Sequence, residues 1–162
     1  MKVIFLDIDG VLNSEEFFVE RTQNCRYDAY RSAGYSAKMS RNLCSLDSVA
    51  IANLNHLITQ TDAKIVVSST WRGDDPFLQE VFALVGIPAY IGITPYTETR
   101  HRGMEIDYWL DKHPEVENYV ILDDDNDMLD KQLEHFVQTD AYKRGLSLEN
   151  VEQAIKILNK VC

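Results

Sequence analysis

Short apolar runs alternate with amphipathic segments along most of this chain, and this alternation constrains the fold more than any other feature. The runs have the length and the β-branched or aromatic character of buried strands. They lie at 2–6, 64–67, 89–93 and 119–122, with a weaker run at 136–137. Strands that alternate with helices form βαβ units. The sequence therefore predicts an α/β fold, three-layer α/β/α around a parallel sheet, with a ligand crevice at the carboxyl ends of the strands.

Capping residues predict where several of the helices begin and end. Asp47 is expected to cap the helix that follows it, and Ser147 is expected to cap the last helix. Asp75 is expected to cap another helix, with Pro76 at its first position and Gly86 closing it. Each of these segments has apolar residues at helical spacing, so each helix should pack one face on the sheet.

The stretch of about 30 residues after Asn13 is too long for an ordinary connection between elements. We predict a single domain over 1–162, with a minimal cap or substrate-loop insertion at about 14–45 near the mouth of the crevice. Between residues 21 and 46, Asp28 is the one anion among a larger set of cations. These cations are Arg21, Arg26, Arg31, Lys38 and Arg41, and Tyr27, Tyr30 and Tyr35 lie between them.

Cations beside aromatic rings suit a nucleotide or a single-stranded nucleic-acid end, which makes Arg26 and Arg31 candidates for substrate contact. The alternative is that the insertion is a solvated cover that contacts no substrate. The chain as a whole has a formal net charge of −10, which argues against a protein that coats duplex phosphate.

No apolar run approaches the roughly 20 residues that a membrane span needs. The amino-terminal run reaches only Leu6 before the charged Asp7, and it lacks the small-residue cleavage site of a secretory signal. We therefore expect a cytoplasmic protein that binds no membrane.

Two groups of carboxylates follow apolar runs that lie far apart in the sequence. Asp7 and Asp9 end the first run, and Asp123 and Asp127 follow the fourth. Residues two apart share a side of an extended strand, and the ends of parallel strands lie together. Four carboxylates so close would repel one another unless a divalent cation neutralised them, and oxygen ligands open to phosphate favour Mg²⁺. The alternative is that Asp7 and Asp9 only cap a turn.

The acidic run at 123–127 also has the spacing of a calcium loop, whose twelfth position would be Glu134. Its sixth position, where the sharp turn calls for Gly, holds Met128. An apolar strand, rather than a helix, precedes Asp123. These two departures disfavour a calcium site.

The sequence resembles the haloacid dehalogenase (HAD) superfamily of phosphotransferases through four motifs in order. They are DxDGVLN at 7–13, Ser68 after a strand, the basic Arg102 and the acidic run at 123–127. The segments MKVIFLDIDGVLN, KIVVSSTWR, RGMEIDYWL, YVILDDDNDM and GLSLE resemble, more closely, the HAD domain of Swiss Army Knife RNA-repair proteins. This resemblance covers the chain outside about 14–45, and it implies a Rossmann-like HAD fold.

The resemblance implies a Mg²⁺-dependent phosphatase. Asp7 would attack phosphorus and form an aspartyl-phosphate, and Asp9 would protonate the leaving oxygen and then deprotonate the attacking water. Mg²⁺ would be held by Asp7, the backbone carbonyl of Asp9 and Asp123, with Asp124 or Asp127 ordering its waters. Superfamily relatives that transfer phosphate or cleave carbon–halogen bonds generally lack the second acid, so Asp9 favours a phosphatase.

The resemblance also implies contacts to the phosphoryl oxygens. Ser68 would donate a hydrogen bond to them, although Ser69 or Thr70 could take its place. Arg102 would offset their growing charge, at a position where Lys is commonest in the superfamily.

Two further residues, Trp71 and Arg72, directly follow the serine turn. Arg72 is placed either to bind substrate phosphate or to form a surface ion pair. We interpret Trp71 as a packing residue.

The expected function is hydrolysis of phosphomonoesters, with nucleotides or nucleic-acid ends as the favoured substrates because of the insertion and the family resemblance. A small-metabolite phosphatase is the nearest alternative. A non-catalytic module that binds phosphate or metal in a larger assembly is the alternative from another class.

Overall fold

The computed structural model of the chain describes residues 1–24 and 26–160, so position 25 of the insertion and positions 161–162 lie outside the described residues. Across the described part, five parallel strands form one sheet. They are β1 (Lys2–Leu6), β2 (Lys64–Val67), β3 (Gly92–Ile93), β4 (Asn118–Asp123) and β5 (Phe136–Gln138). Their spatial order is β3-β2-β1-β4-β5, so β1 is the central strand. The predicted α/β class with a parallel, Rossmann-like sheet is confirmed.

Helices connect the strands and cover both faces of the sheet. They are α1 (Glu15–Asn24), α2 (Tyr27–Ser32), α3 (Ala37–Cys44), α4 (Ser48–Thr61), α5 (Asp75–Val85), α6 (Arg102–Leu110) and α7 (Leu148–Leu158). Two 3₁₀ turns, Thr70–Asp74 and Asp130–His135, precede α5 and β5.

Side chains that alternate along β1 pack into two separate cores. Ile4 and Leu6 point into the larger core, which also contains residues of α4, α5 and α7. Val3 and Phe5 point to the opposite face, where α6 supplies Ile106 and Trp109. This two-sided burial explains why the strand runs are almost continuously apolar.

The predicted caps hold for most helices. The Asp47 carboxylate accepts from the Val49 N–H at 2.8 Å, and Ser147 forms a capping box with Asn150. The α5 prediction is one residue late, because Asp74 is the N-cap residue and Pro76 occupies the second helical position. Gly86 ends α5 with φ +78, as expected for a left-handed C-cap.

The third strand is much shorter than the predicted 89–93, because only Gly92–Ile93 pairs with β2. Its apolar run is used instead for packing against α5. Tyr90 is buried there, with its ring edge-on to Phe82 and its hydroxyl donating to Asp75. Burial of an aromatic side chain thus replaces ladder pairing at this end of the run.

The insertion folds into α1, α2 and α3. Met39 and Leu43 of α3 are buried in the larger core, and Tyr30 and Tyr35 pack against that core while half-buried. The segment is therefore joined to the main body by apolar contacts. Among the described residues, no helix combines the length and the apolar character needed to cross a bilayer.

Candidate active site

The carboxyl end of the central strand places Asp7 between the ends of its two neighbours. The Asp7 N–H donates to the carbonyl of Leu122 in β4 at 3.0 Å. The Ser68 N–H, just after β2, donates to the carbonyl of Leu6 at 2.9 Å. These bonds extend the sheet ladder past the strand ends, so the polar residues that follow β1, β2 and β4 share one edge.

Three carboxylates meet at this edge. Asp7, Asp123 and Asp124 each offer an oxygen, and these oxygens lie within 4.8 Å of one another. Asp7 and Asp123 are buried, whereas Asp124 is half-buried. Gly10 permits the close approach: its φ is +74, and a Cβ there would lie 2.4 Å from Asp124 Cγ. The glycine of the DxDG motif is therefore required by the neighbouring acidic loop.

Burial and mutual repulsion alter the acidity of this group. Burial raises the pKa of Asp7 to about 6, against the opposing effects of Arg102 and of a hydrogen bond from the Ser69 hydroxyl. Burial, followed by the charge of Asp7, raises the pKa of Asp123 to about 8. The pKa of Asp124 is raised as well, chiefly by burial. Such carboxylates favour a bound cation, because it would compensate charge that the protein leaves uncompensated.

Arg102 is the cation that the chain itself supplies. Its Nε lies 3.1 Å from Asp123 Oδ2 and its Nη2 lies 3.5 Å from Asp7 Oδ1. We call Asp7, Asp123, Asp124 and Arg102 the strand-end cluster. Asp123 Oδ2 nevertheless accepts no hydrogen bond from any described residue. One positive charge beside three carboxylates, together with a buried oxygen that is ion-paired but accepts no hydrogen bond, fits a site for a hard, oxygen-binding cation.

Arg102 is itself held by a buried ion pair that the sequence analysis missed. Glu105 lies three residues further along α6, with its Oε2 4.0 Å from Arg102 Nη1. The same oxygen accepts from Arg72 Nη2 at 2.5 Å, and the side chains of Arg72 and Glu105 are almost fully buried.

Arg72 also donates to the carbonyl of Ser69 at 2.7 Å and stacks on Tyr96 at 3.9 Å. It therefore ties the serine turn to α6, rather than forming a surface ion pair. The signal available in the sequence was the i, i+3 pair of Arg102 and Glu105.

The two serines after β2 face different partners. Ser68 Oγ accepts from the hydroxyl of Thr94 at 3.2 Å, whereas the Ser69 hydroxyl opposes the rise in the pKa of Asp7. Ser69 Oγ also accepts from the Trp71 N–H at 3.4 Å. Both serines are buried, and the Ser69 hydroxyl influences the acidity of Asp7 in the strand-end cluster.

Asp9 is exposed and each of its carboxylate oxygens accepts one hydrogen bond. Asn13 Nδ2 donates to Oδ1 at 3.0 Å, and the indole Nε1 of Trp71 donates to Oδ2 at 2.9 Å. Trp71 packs against the larger core, as expected, but its polar atom contacts a candidate catalytic residue. Packing alone is thus an incomplete description of this side chain.

The Asp127 carboxylate is bonded to the start of α6 and is not one of the three carboxylates that group together. Its Oδ2 accepts from the backbone N–H of Arg102 at 2.8 Å, at the first residue of α6. At the twelfth position of the calcium pattern, Glu134 pairs with Lys160 at 3.0 Å. Asp127 and Glu134 of that pattern thus bind different partners. Asp124 is the acidic residue whose oxygen lies near those of Asp7 and Asp123.

Arg26 and Arg31 of the insertion contact groups outside the strand-end cluster. Arg26 is exposed and lines a cavity of about 400 Å³ with Arg21, Phe17 and Tyr30, but no residue of the strand-end cluster lines that cavity within the described part of the chain. Arg31 is also exposed, and its Nη1 donates to the carbonyl of Tyr35 in its own segment.

Comparison with known proteins identifies one family. The family described as the HAD domain in Swiss Army Knife RNA repair proteins matches residues 3–151, which include β1 except its first residue, β2 to β5 and every residue of the strand-end cluster. Neither the curated proteins nor the solved structures give a significant match.

Proposed function

This chain belongs to the family of HAD domains found in Swiss Army Knife RNA repair proteins, and from that premise we propose that it is a Mg²⁺-dependent phosphatase acting through an aspartyl-phosphate on Asp7. The observation that supports this most is the meeting of Asp7, Asp123 and Asp124 within 4.8 Å at the end of the central strand, beside Arg102. A buried carboxylate in such a cluster can attack phosphorus if its charge is compensated.

The proposed metal ligands are Asp7, the backbone carbonyl of Asp9, and Asp123, with Asp124 rather than Asp127 supporting the site. Asp124 is favoured because its oxygen groups with those of Asp7 and Asp123, whereas Asp127 accepts from the Arg102 N–H. Mg²⁺ bound there would offset the carboxylate and phosphate charges, so that one anion can approach another.

The proposed reaction divides into two steps. An Asp7 oxygen bonds to phosphorus while the bond from phosphorus to the leaving oxygen breaks, and Asp9 gives that oxygen its proton. A water then attacks the aspartyl-phosphate and loses its proton to Asp9, which releases phosphate and restores the Asp7 carboxylate. Arg102 and the serine turn at Ser68 and Ser69 would stabilise the charge on the phosphoryl oxygens.

For substrate we propose a phosphorylated nucleotide or single-stranded nucleic-acid end, contacted by Arg26 and Arg31 of the insertion. The support is the repair family to which the chain belongs and the exposure of both guanidinium groups. The half-buried packing of Tyr30 and Tyr35 reduces the stacking surface that these rings can offer.

The test compares wild-type protein, Asp7→Asn and the matched control Asp125→Asn, an exposed residue of the same acidic run. Substrates are p-nitrophenyl phosphate, a 3′-phosphorylated oligoribonucleotide, mononucleotides and sugar phosphates, each with Mg²⁺ or with a chelator. We expect Asp7→Asn to lose on the order of 10⁴-fold or more in kcat, as for removal of other nucleophiles, and Asp125→Asn to retain wild-type rates.

Each alternative has its own outcome in this experiment. Wild-type protein that hydrolyses none of the substrates with Mg²⁺ would be a binding module, and the proposed activity would be abandoned. Turnover confined to sugar phosphates would replace the nucleic-acid substrate with a small metabolite. Turnover that survives Asp7→Asn would exclude the aspartyl-phosphate.

A further inference from the structure

The carboxylate of Asp9 is held at both oxygens by side chains that the proposed mechanism has not used. Trp71 Nε1 lies 2.9 Å from Oδ2, and Asn13 Nδ2 lies 3.0 Å from Oδ1. Trp71 is 62 residues from Asp9 in the sequence and lies on the 3₁₀ turn after β2. An exposed carboxylate ordinarily rotates freely, so two donors from separate segments are a specific constraint on its orientation.

The donors can be assigned from chemistry alone. An indole N–H donates and never accepts. The Asn13 amide is orientated by the Gly10 N–H, which donates to Asn13 Oδ1 at 2.9 Å. Because that backbone N–H cannot accept, the amide oxygen must face Gly10 and the NH₂ group must face Asp9.

Both donors are fixed by their surroundings. Asn13 is almost fully buried, and Trp71 packs against the larger core. Each Asp9 oxygen has two lone pairs and uses one for these bonds, so the other direction stays available for a transferable proton. A proton held in one place can be delivered to a leaving oxygen without a search over rotamers.

We infer that Trp71 and Asn13 are positioning residues that hold Asp9 in the orientation for general acid–base catalysis. This inference rests on the proposed function, since it assigns a role to Asp9 in phosphate ester hydrolysis. In the first step of that reaction, the bond from phosphorus to the leaving oxygen breaks, the Asp9 proton moves to the leaving oxygen, and Asp9 becomes a carboxylate.

The test uses the leaving group, because only a poor leaving group needs the acid. Trp71→Phe retains an aromatic ring and removes the N–H, and Trp109→Phe makes the same change at the other tryptophan. We expect Trp71→Phe to lower kcat/KM about tenfold or more on a nucleoside 3′-phosphate, a part of the 10²- to 10⁴-fold that a general acid contributes. On 2,4-dinitrophenyl phosphate, whose leaving group departs without a proton, the loss in kcat/KM should stay below about twofold, because kcat/KM does not include the later step in which Asp9 acts as a base.

A merely structural role would lower both rates equally, as would a general loss of folded protein. Equal losses on the two substrates, or a loss in Trp109→Phe as selective as that in Trp71→Phe, would overturn the inference. Asp7→Asn separates this failure from failure of the proposed function. If Asp7→Asn is inactive while Trp71→Phe shows no selectivity, the phosphatase stands and the positioning role does not.

A second measurement leaves both tryptophans in place. With two tryptophans in the chain, the wild-type protein gives two indole N–H resonances. In Asp9→Ala, we expect one of them to move upfield because its acceptor is gone, and the other to stay in place. No movement of either resonance would contradict the hydrogen bond on which the inference depends.

Discussion

The strand-end cluster and the insertion both contain charged residues, but these residues stand in opposite physical situations. In the strand-end cluster, Asp7 and Asp123 are buried and face Arg102 across 3.5 and 3.1 Å. In the insertion, Arg26 and Arg31 are exposed, and Arg31 donates to a carbonyl of its own segment. Charges removed from water interact strongly and perturb one another, whereas exposed charges are screened.

The comparison shows that charge count is a poor guide to where chemistry is located. The insertion is the more basic segment by sequence, yet the cations with the greatest influence on the candidate site are Arg102 and Arg72, which lie elsewhere. The following substitutions test this difference, from the largest expected effect to the smallest.

Arg72→Ala should cause the largest loss of stability. It leaves the buried Glu105 carboxylate without its 2.5 Å partner, and breaking a buried pair costs about 3–5 kcal/mol in the free energy of unfolding. Chemical denaturation measures this loss. The matched control is Lys38→Ala, which breaks an exposed ion pair with Asp74 and should cost less than about 1 kcal/mol. Equal losses would remove the distinction between buried and exposed charge in this molecule.

Arg102→Ala should cause the largest loss of activity among the cations. Removing a charge-stabilising donor from an active site typically lowers kcat by about 10²- to 10³-fold. Arg102→Lys, which keeps the charge at a different geometry, should recover part of that loss. Steady-state kinetics on p-nitrophenyl phosphate measure both, with the exposed Arg41→Ala as control. A fall in Arg41→Ala as large as that in Arg102→Ala would contradict the assignment.

The chelated protein should lose stability as the pH rises through the pKa values of the buried aspartates. The folded pKa values of Asp7 and Asp123 are raised from 3.8 to about 6 and about 8. Their protonated forms therefore stabilise the fold fully below about pH 4, and this contribution disappears as the pH approaches 8. Thermal melts in chelator from pH 5 to pH 8 measure the decline.

Asp123→Asn supplies the control for this pH dependence, since an amide does not titrate. Its Tm should fall less steeply than that of the wild type over the same range. Adding Mg²⁺ at pH 8 should raise the Tm of the wild type more than that of Asp123→Asn, because a ligand of the folded state stabilises it. Parallel curves for the two proteins would mean that Asp123 is not buried as described.

Arg26→Ala and Arg31→Ala should have the smallest effects. Stability should change by less than about 0.5 kcal/mol, because both side chains are exposed. Turnover of p-nitrophenyl phosphate should be unchanged, while KM for a 3′-phosphorylated oligoribonucleotide should rise about two- to fivefold, the scale of one exposed ion pair. An unchanged KM in both variants would identify the insertion as a solvated cover.

The sequence predicts the sheet and the meeting of its acidic ends because both follow from local rules. Continuous apolar runs mark strands that are buried on two faces, and parallel connections bring Asp7 and Asp123 to one edge. The caps at Asp47 and Ser147 are likewise read from neighbouring residues. Features that depend only on local pattern and on parallel topology were therefore predictable.

Features that depend on the choice of a distant partner could not be predicted from the sequence. Whether an indole meets a carboxylate 62 residues away depends on how the serine turn is directed, which spacing does not encode. The buried pair of Arg72 and Glu105 has the same character, since arginine and glutamate usually lie at the surface. The shortening of β3 reflects competition, in which packing of Tyr90 on α5 prevails over strand pairing.

The most direct test of the central claim is to detect the phosphoryl group on Asp7. Protein mixed with Mg²⁺ and a phosphorylated substrate is quenched in acid during turnover, and peptide mass spectrometry locates the label. We expect phosphate on the peptide containing Asp7 in wild-type protein and none in Asp7→Asn. Sustained hydrolysis with an unlabelled Asp7, or with phosphate on another residue, would contradict the account.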